Sequence, residues 1–114
     1  MATFEAVIPS GSTNGRQILV AATATAGTII HTAHATSLDE VYIWATNNHT
    51  TTVNLTIELG GVTSPNDLIQ MSIPSKSGLY LVIPGLRVTG GVVIRAFAGT
   101  TNVISISANV NRIT

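Results

Sequence analysis

A chain of 114 residues with five basic and five acidic side chains, zero formal net charge and no cysteine has room for one domain, burying roughly two thirds of its unfolded surface. Only 9% of its residues are charged, against about a quarter in an average soluble domain, and Arg16, Lys76, Arg87, Arg95 and Arg112 are scattered rather than gathered into the basic stripe that nucleic-acid binding requires. Without cysteine, disulfides, thiolate chemistry and cysteine-ligated zinc are excluded.

Residues 1–15 read as an N-terminal arm and turn. Phe4, Val7 and Ile8 make the arm mildly apolar, and Pro9-Ser10-Gly11-Ser12 and Thr13-Asn14-Gly15 are successive turn signals. Residues 16–114 read as one β domain. Residues 17–22 and 28–33 are strand candidates separated by Gly27, since their threonines disfavour a helix despite the alanines. In the second, alternation places Ile29 and His31 on one face and Ile30 and Thr32 on the other. Residues 38–61 form the clearest β-hairpin pattern. Val41, Ile43 and Ala45 alternate with Tyr42, Trp44 and Thr46, then Val53, Leu55, Ile57 and Leu59 with Asn54, Thr56 and Glu58, around an Asn47-Asn48-His49-Thr50 loop.

A loop over residues 60–66 leads to a strand at 67–73 with Ile69, Met71 and Ile73 facing inward. Residues 79–83 are nearly all apolar and bounded by Pro84-Gly85, which predicts a short strand covered on both faces. Gly90-Gly91 between residues 86–89 and 92–98 predicts a tight hairpin. In residues 102–112, Ile104, Ile106, Ala108 and Val110 alternate with Ser105, Ser107, Asn109 and Asn111. About eight short strands separated by turns define an all-β fold; pattern alone leaves sandwich and barrel both open.

The search for chemistry finds no enzyme. His31 and His34 are spaced i, i+3, which on a strand sends them to opposite faces and disfavours shared metal ligation. Asp39-Glu40 reads as a cap at the start of the hairpin, with no second acid or base to complete a general acid–base pair. No serine sits in a nucleophile elbow, and the Gly-Gly pairs lack the context of a phosphate cradle. Neither a catalytic residue, a metal site nor a cofactor is expected. No apolar run approaches the ~20 residues of a membrane span, and the start lacks a signal-peptide pattern, so a cytoplasmically made chain without membrane contact is expected. The charge deficit and the single lysine, Lys76, point instead to a surface covered by copies of the chain or by partners. Candidate contacts are Phe4, Val7 and Ile8 of the arm, Asn48 and His49 of the loop, and Arg87 and Arg95 beside the Gly90-Gly91 turn; Tyr42 and Trp44 are candidate exposed aromatics.

The succession LDEVYIWATN, TVNLTIELGG, IPSKSGLYLVIPGLRVTGGVVIRAFAG and ISANVNRI, within residues 38–113, resembles a family of small tailed-phage virion proteins, the head-decoration or cement proteins. The resemblance implies a jelly-roll β-sandwich, a homotrimer on the outer surface of the phage head, the major capsid protein as partner, and stabilisation of the capsid lattice. It implies no catalytic residues. Two alternatives stand beside it: another virion component, such as a head-fibre base, neck or tail protein, and a carbohydrate-binding β-sandwich module in which Trp44, Tyr42 or Tyr80 stacks on sugar rings.

Overall fold

The computed structural model describes residues 3–114. Met1 and Ala2, the first residues of the expected arm, lie outside the described residues. Nine strands follow in chain order: β1 (Phe4–Val7), β2 (Ile18–Leu19), β3 (Thr28–Thr32), β4 (Leu38–Asn47), β5 (Val53–Leu59), β6 (Leu68–Ile73), β7 (Tyr80–Val88), β8 (Val93–Ala98) and β9 (Ile104–Ile113). They build two antiparallel sheets, ordered β1-β9-β4-β7 and β3-β8-β5-β6, with β2 also on β9. β1 pairs with residues 110–113 of β9 and β2 with residues 105–106, so the two share one strand position. Eight positions in two four-stranded sheets, with the chain crossing repeatedly between them, are the jelly-roll arrangement.

The core lies between the sheets. From the larger sheet, Val41, Ile43, Ala45, Ile83, Ile104, Ile106 and Val110 point into it; from the smaller, Ile30, Val53, Leu55, Ile57, Ile73, Ile94, Ala96 and Ala98. The period-two rows expected for residues 38–59, 67–73 and 102–112 are therefore the rows that the fold buries, apart from the half-buried Leu59, Ile69, Met71 and Ala108, although Thr56 and Glu58 of the opposite row in β5 are buried too.

Five local expectations are corrected. Residues 38–61 are not a hairpin: β4 pairs with β7 and β9, β5 with β6 and β8, and the two lie in opposite sheets. Their apolar rows face each other across the core, an arrangement that produces the same alternation as lateral pairing. The chain likewise changes sheet at Gly90-Gly91, whose positive φ values of 69° and 76° make a turn but not a hairpin. Residues 79–83 do not form a doubly covered strand. β7 runs through Pro84 at the edge of its sheet, where the missing N–H removes no ladder bond, and Leu79 and Leu81 are exposed. At Gly85, with φ 104°, the backbone passes the Tyr42 ring so closely that a Cβ would come within 3.0 Å of it.

In β3, a register shift between Ile29 and His31 disrupts the alternation, so Ile30 and His31 are both buried while Ile29 and Thr32 are exposed. An extra residue in a strand has this effect, and here it carries the histidine inward. The strand expected at 17–22 shrinks to Ile18–Leu19, followed by a Val20 N–H bond to Ile104 O.

Because Ile43 and Leu55 meet the core from opposite sheets and are both fully buried, Ile43→Ala and Leu55→Ala are each expected to lower unfolding free energy by about 2–5 kcal/mol in urea titrations.

Candidate functional site

Two arrangements bear on function: a buried polar cluster between the sheets and the outer face of the larger sheet. The first grows from the inward row of β4, where Asp39 and Asn47 continue the phase of Val41, Ile43 and Ala45 and are both fully buried. Arg112 lies directly opposite Asp39 on β9 and grips its carboxylate with two bonds, Nε to Oδ1 at 2.8 Å and Nη2 to Oδ2 at 3.0 Å. From the other sheet, His31 places Nε2 2.8 Å from Asp39 Oδ2, and the His34 main-chain N–H donates to the same oxygen at 3.1 Å. Asp39 is therefore not a hairpin cap. The neighbouring Glu40 faces outward, 3.5 Å from Arg87, and accepts a bond from the Tyr42 hydroxyl at 3.1 Å.

A carboxylate touching a histidine can serve acid–base chemistry, but this pair has no free nitrogen to offer. His31 Nδ1 accepts the Ser10 main-chain N–H at 3.0 Å, and both side chains are essentially inaccessible. The cluster acts as an interior clamp joining the two sheets and the arm.

Burial works to raise the Asp39 carboxyl, but the Arg112 bonds, the His31 bond and the His34 amide outweigh it and hold the group well below the ordinary carboxylate range. A depressed folded value means that its stabilisation is complete above the unfolded Asp range, near about 4, and is lost as pH falls through the lower folded value. At the far end of β4, Asn47 Nδ2 donates to Thr51 O at 3.1 Å and to Ile73 O of the smaller sheet at 2.8 Å. A second buried carboxylate, Glu58, accepts from the Thr25 hydroxyl and from the Gly27 N–H at 2.6 Å, tying the β2–β3 connection to β5. Gly27 admits no side chain, since a Cβ there would lie 2.5 Å from Ala96 O.

The outer face of the larger sheet is read from its register. Phe4, Ile113 and Leu38 sit side by side across β1, β9 and β4. Next on that face come Glu40 with Arg87, Tyr42 between Asn109 and Pro84, and Trp44 between Ser107 and Leu81. The Tyr42 and Trp44 rings are stacked, with centroids 6.3 Å apart and planes 17° apart. Phe4 is 71% exposed, while Tyr42 and Trp44, expected to be exposed, are half-buried.

The other candidates do not join this face. Val7 packs against the core, and Ile8 is exposed beyond the end of β1. Asn48 and His49 lie at the β4–β5 corner, and Arg95 sits on the outer face of the smaller sheet, opposite Glu58. The depression of about 280 Å³ lined by Asn54, Thr56, Gln70, Met71 and Ser72 also belongs to the smaller sheet, away from the Tyr42–Trp44 pair.

Sequence reasoning missed the clamp. Its members are separated by 8 and 73 positions, and the available signal was phase: Asp39 is in step with an apolar row.

No family model matches the chain, and comparison with curated proteins and with solved structures finds no match.

Asp39→Asn removes the charge that Arg112 needs, and unfolding free energy should fall by about 3 kcal/mol at pH 7. The difference between wild type and variant in urea midpoint should stay constant from pH 7 to about 5 and shrink below about 4.

Proposed function

We propose that this chain is a structural virion protein, a capsid decoration protein that associates as a trimer on the outside of a phage head and stabilises the capsid lattice. The observation that supports this reading most is the outer face of the larger sheet. Phe4, Leu38, Tyr42, Trp44 and Leu81 share it with serine and asparagine side chains of β9, and its Glu40 and Arg87 neutralise each other. Such a face desolvates at low cost in unpaired charge, and its aromatic residues are the types that anchor interfaces. The 9% charge content of the chain fits a surface that is covered in the working assembly. The resemblance of residues 38–113 to decoration proteins supplies the partner, and the jelly-roll topology accords with it.

Stabilisation then follows from mass action. A protein that binds the intact lattice better than the disrupted one shifts the equilibrium toward the shell, and many copies multiply a modest gain per site. An interface of about 1,200–2,000 Å² per contact is of the size that a stable association needs.

Sedimentation equilibrium tests the reading. The wild-type chain should sediment as a concentration-dependent trimer, and Trp44→Glu or Leu38→Lys should weaken the association at least about tenfold, as expected for loss of an interface anchor. A strict monomer at all concentrations would overturn the trimer. A trimer that does not bind purified heads would place the chain elsewhere on the virion.

A further inference from the structure

The N-terminal arm enters the sandwich past His31. Pro9 is buried, and the next two residues are tied to β3 at three points. Ser10 N–H donates to His31 Nδ1 at 3.0 Å, Thr32 N–H to Ser10 Oγ at 2.7 Å, and Gly11 N–H to Ile30 O at 2.9 Å. Only the first of these bonds depends on an atom that can take up a proton. A main-chain N–H can only donate, so Nδ1 must present its lone pair, and the single ring proton sits on Nε2, where it is donated to Asp39. A proton added to Nδ1 would set two donors against each other in a site where the side chain is 1% exposed.

The surroundings of His31 offer no compensation. β4 contributes Asp39, whose charge is already matched by Arg112 of β9. His34, in the β3–β4 connection, gives Asp39 only its main-chain N–H, and its own Nδ1 accepts the Thr36 and Ser37 amides at 3.1 and 3.0 Å. β8 opposes His31 with Ile94, and the arm brings Pro9 and Ser10; none of the three titrates. His31, Asp39 and Arg112 together are neutral only while the imidazole is, and the further acid beside them, Glu5 of β1 opposite Arg112, is exposed to solvent, which screens it from His31.

We propose that His31 is an acid-sensitive latch for the N-terminal arm: protonation of Nδ1 expels the Ser10 main chain and frees residues 8–12 from β3 while the sandwich stays folded. β1 then remains attached through its ladder to β9, the Thr3–Thr114 main-chain bonds and the packing of Val7, and the exposed Ile8 loses the fixed position that the latch gives it. The latch does not rest on the virion reading. It is a property of one folded chain.

Amide hydrogen exchange of the full chain by NMR, converted to protection factors at pH 7.5 and pH 5.0, tests it. An imidazole exposed by opening titrates near about 6.5, so protection at Ser10, Gly11 and Thr32 should fall about 10- to 30-fold over this interval while the far-UV β signal is unchanged, and Ile43 in the central strand, which exchanges only on global unfolding, should stay better protected than Ser10 at both pH values. His31→Gln keeps a donor for Asp39 but cannot titrate; it should show low Ser10 protection at both pH values. Imidazole nitrogen shifts of the wild type keep the test decisive if that variant does not fold: they should show Nδ1 unprotonated at pH 7.5 and protonated in step with the loss of Ser10 protection. Unchanged Ser10 protection at pH 5.0, or a proton on Nδ1 at pH 7.5, would overturn the latch.

Discussion

The carboxylate of Asp39 is the constraint on which the rest of the structure depends. It lies fully buried and gathers donors from Arg112 on the neighbouring strand, His31 on the opposite sheet and the His34 amide. An unpaired charge in that position would cost several kcal/mol, so the sheets cannot slide or part there without breaking the whole set. Asn47 repeats the device at the other end of β4 with neutral bonds to Thr51 O and Ile73 O. Between the two clamps, Val41, Ile43 and Ala45 supply apolar packing. Hydrophobic burial drives the sheets together, and the polar ends of one strand determine how they meet.

Fixing the sandwich from inside leaves its outside free for association. With few charges to distribute, the larger sheet presents aromatic, leucine, serine and asparagine side chains, and its Glu40 and Arg87 form a pair. The same arrangement separates the aromatic residues from the polar depression of β5 and β6, which belongs to the other sheet. The aromatic face together with Phe4 and Leu38 fits a flat protein contact. The arm adds an element whose position is set by a histidine, so attachment of the first strand is coupled to the interior clamp.

How much of this is readable from residues alone depends on the range of each interaction. Alternation is local: the rows of β4, β5, β6 and β9 and the all-β class follow from it, because burial of one sheet face writes a period of two into the chain. Partner choice is not local. The β4–β5 and β7–β8 connections read as hairpins because a strand that pairs beside its neighbour and one that packs across from it carry the same pattern. Residues 79–83 read as a covered strand because the edge strand β7, with Leu81 exposed and Leu79 exposed just before it, has the same apolar composition. The clamp was partly visible. Asp39 and Asn47 stand in phase with the apolar row, which is a sequence signal for buried polar groups that need partners. The identity of those partners was hidden, since His31 turns inward only through the register shift in β3 and Arg112 meets Asp39 only through the β4–β9 register.

The outer face of the larger sheet is the surface we propose for association. Trp44 is the chain's single tryptophan and sits in that face, half-buried beside Tyr42. The most direct measurement is its fluorescence over a dilution series, with circular dichroism recorded on the same samples. Association through this face should give a blue-shifted emission at high concentration that moves to the red on dilution while the β signal stays constant. Emission independent of concentration, in a chain shown to associate, would place the contact elsewhere and rule out this face.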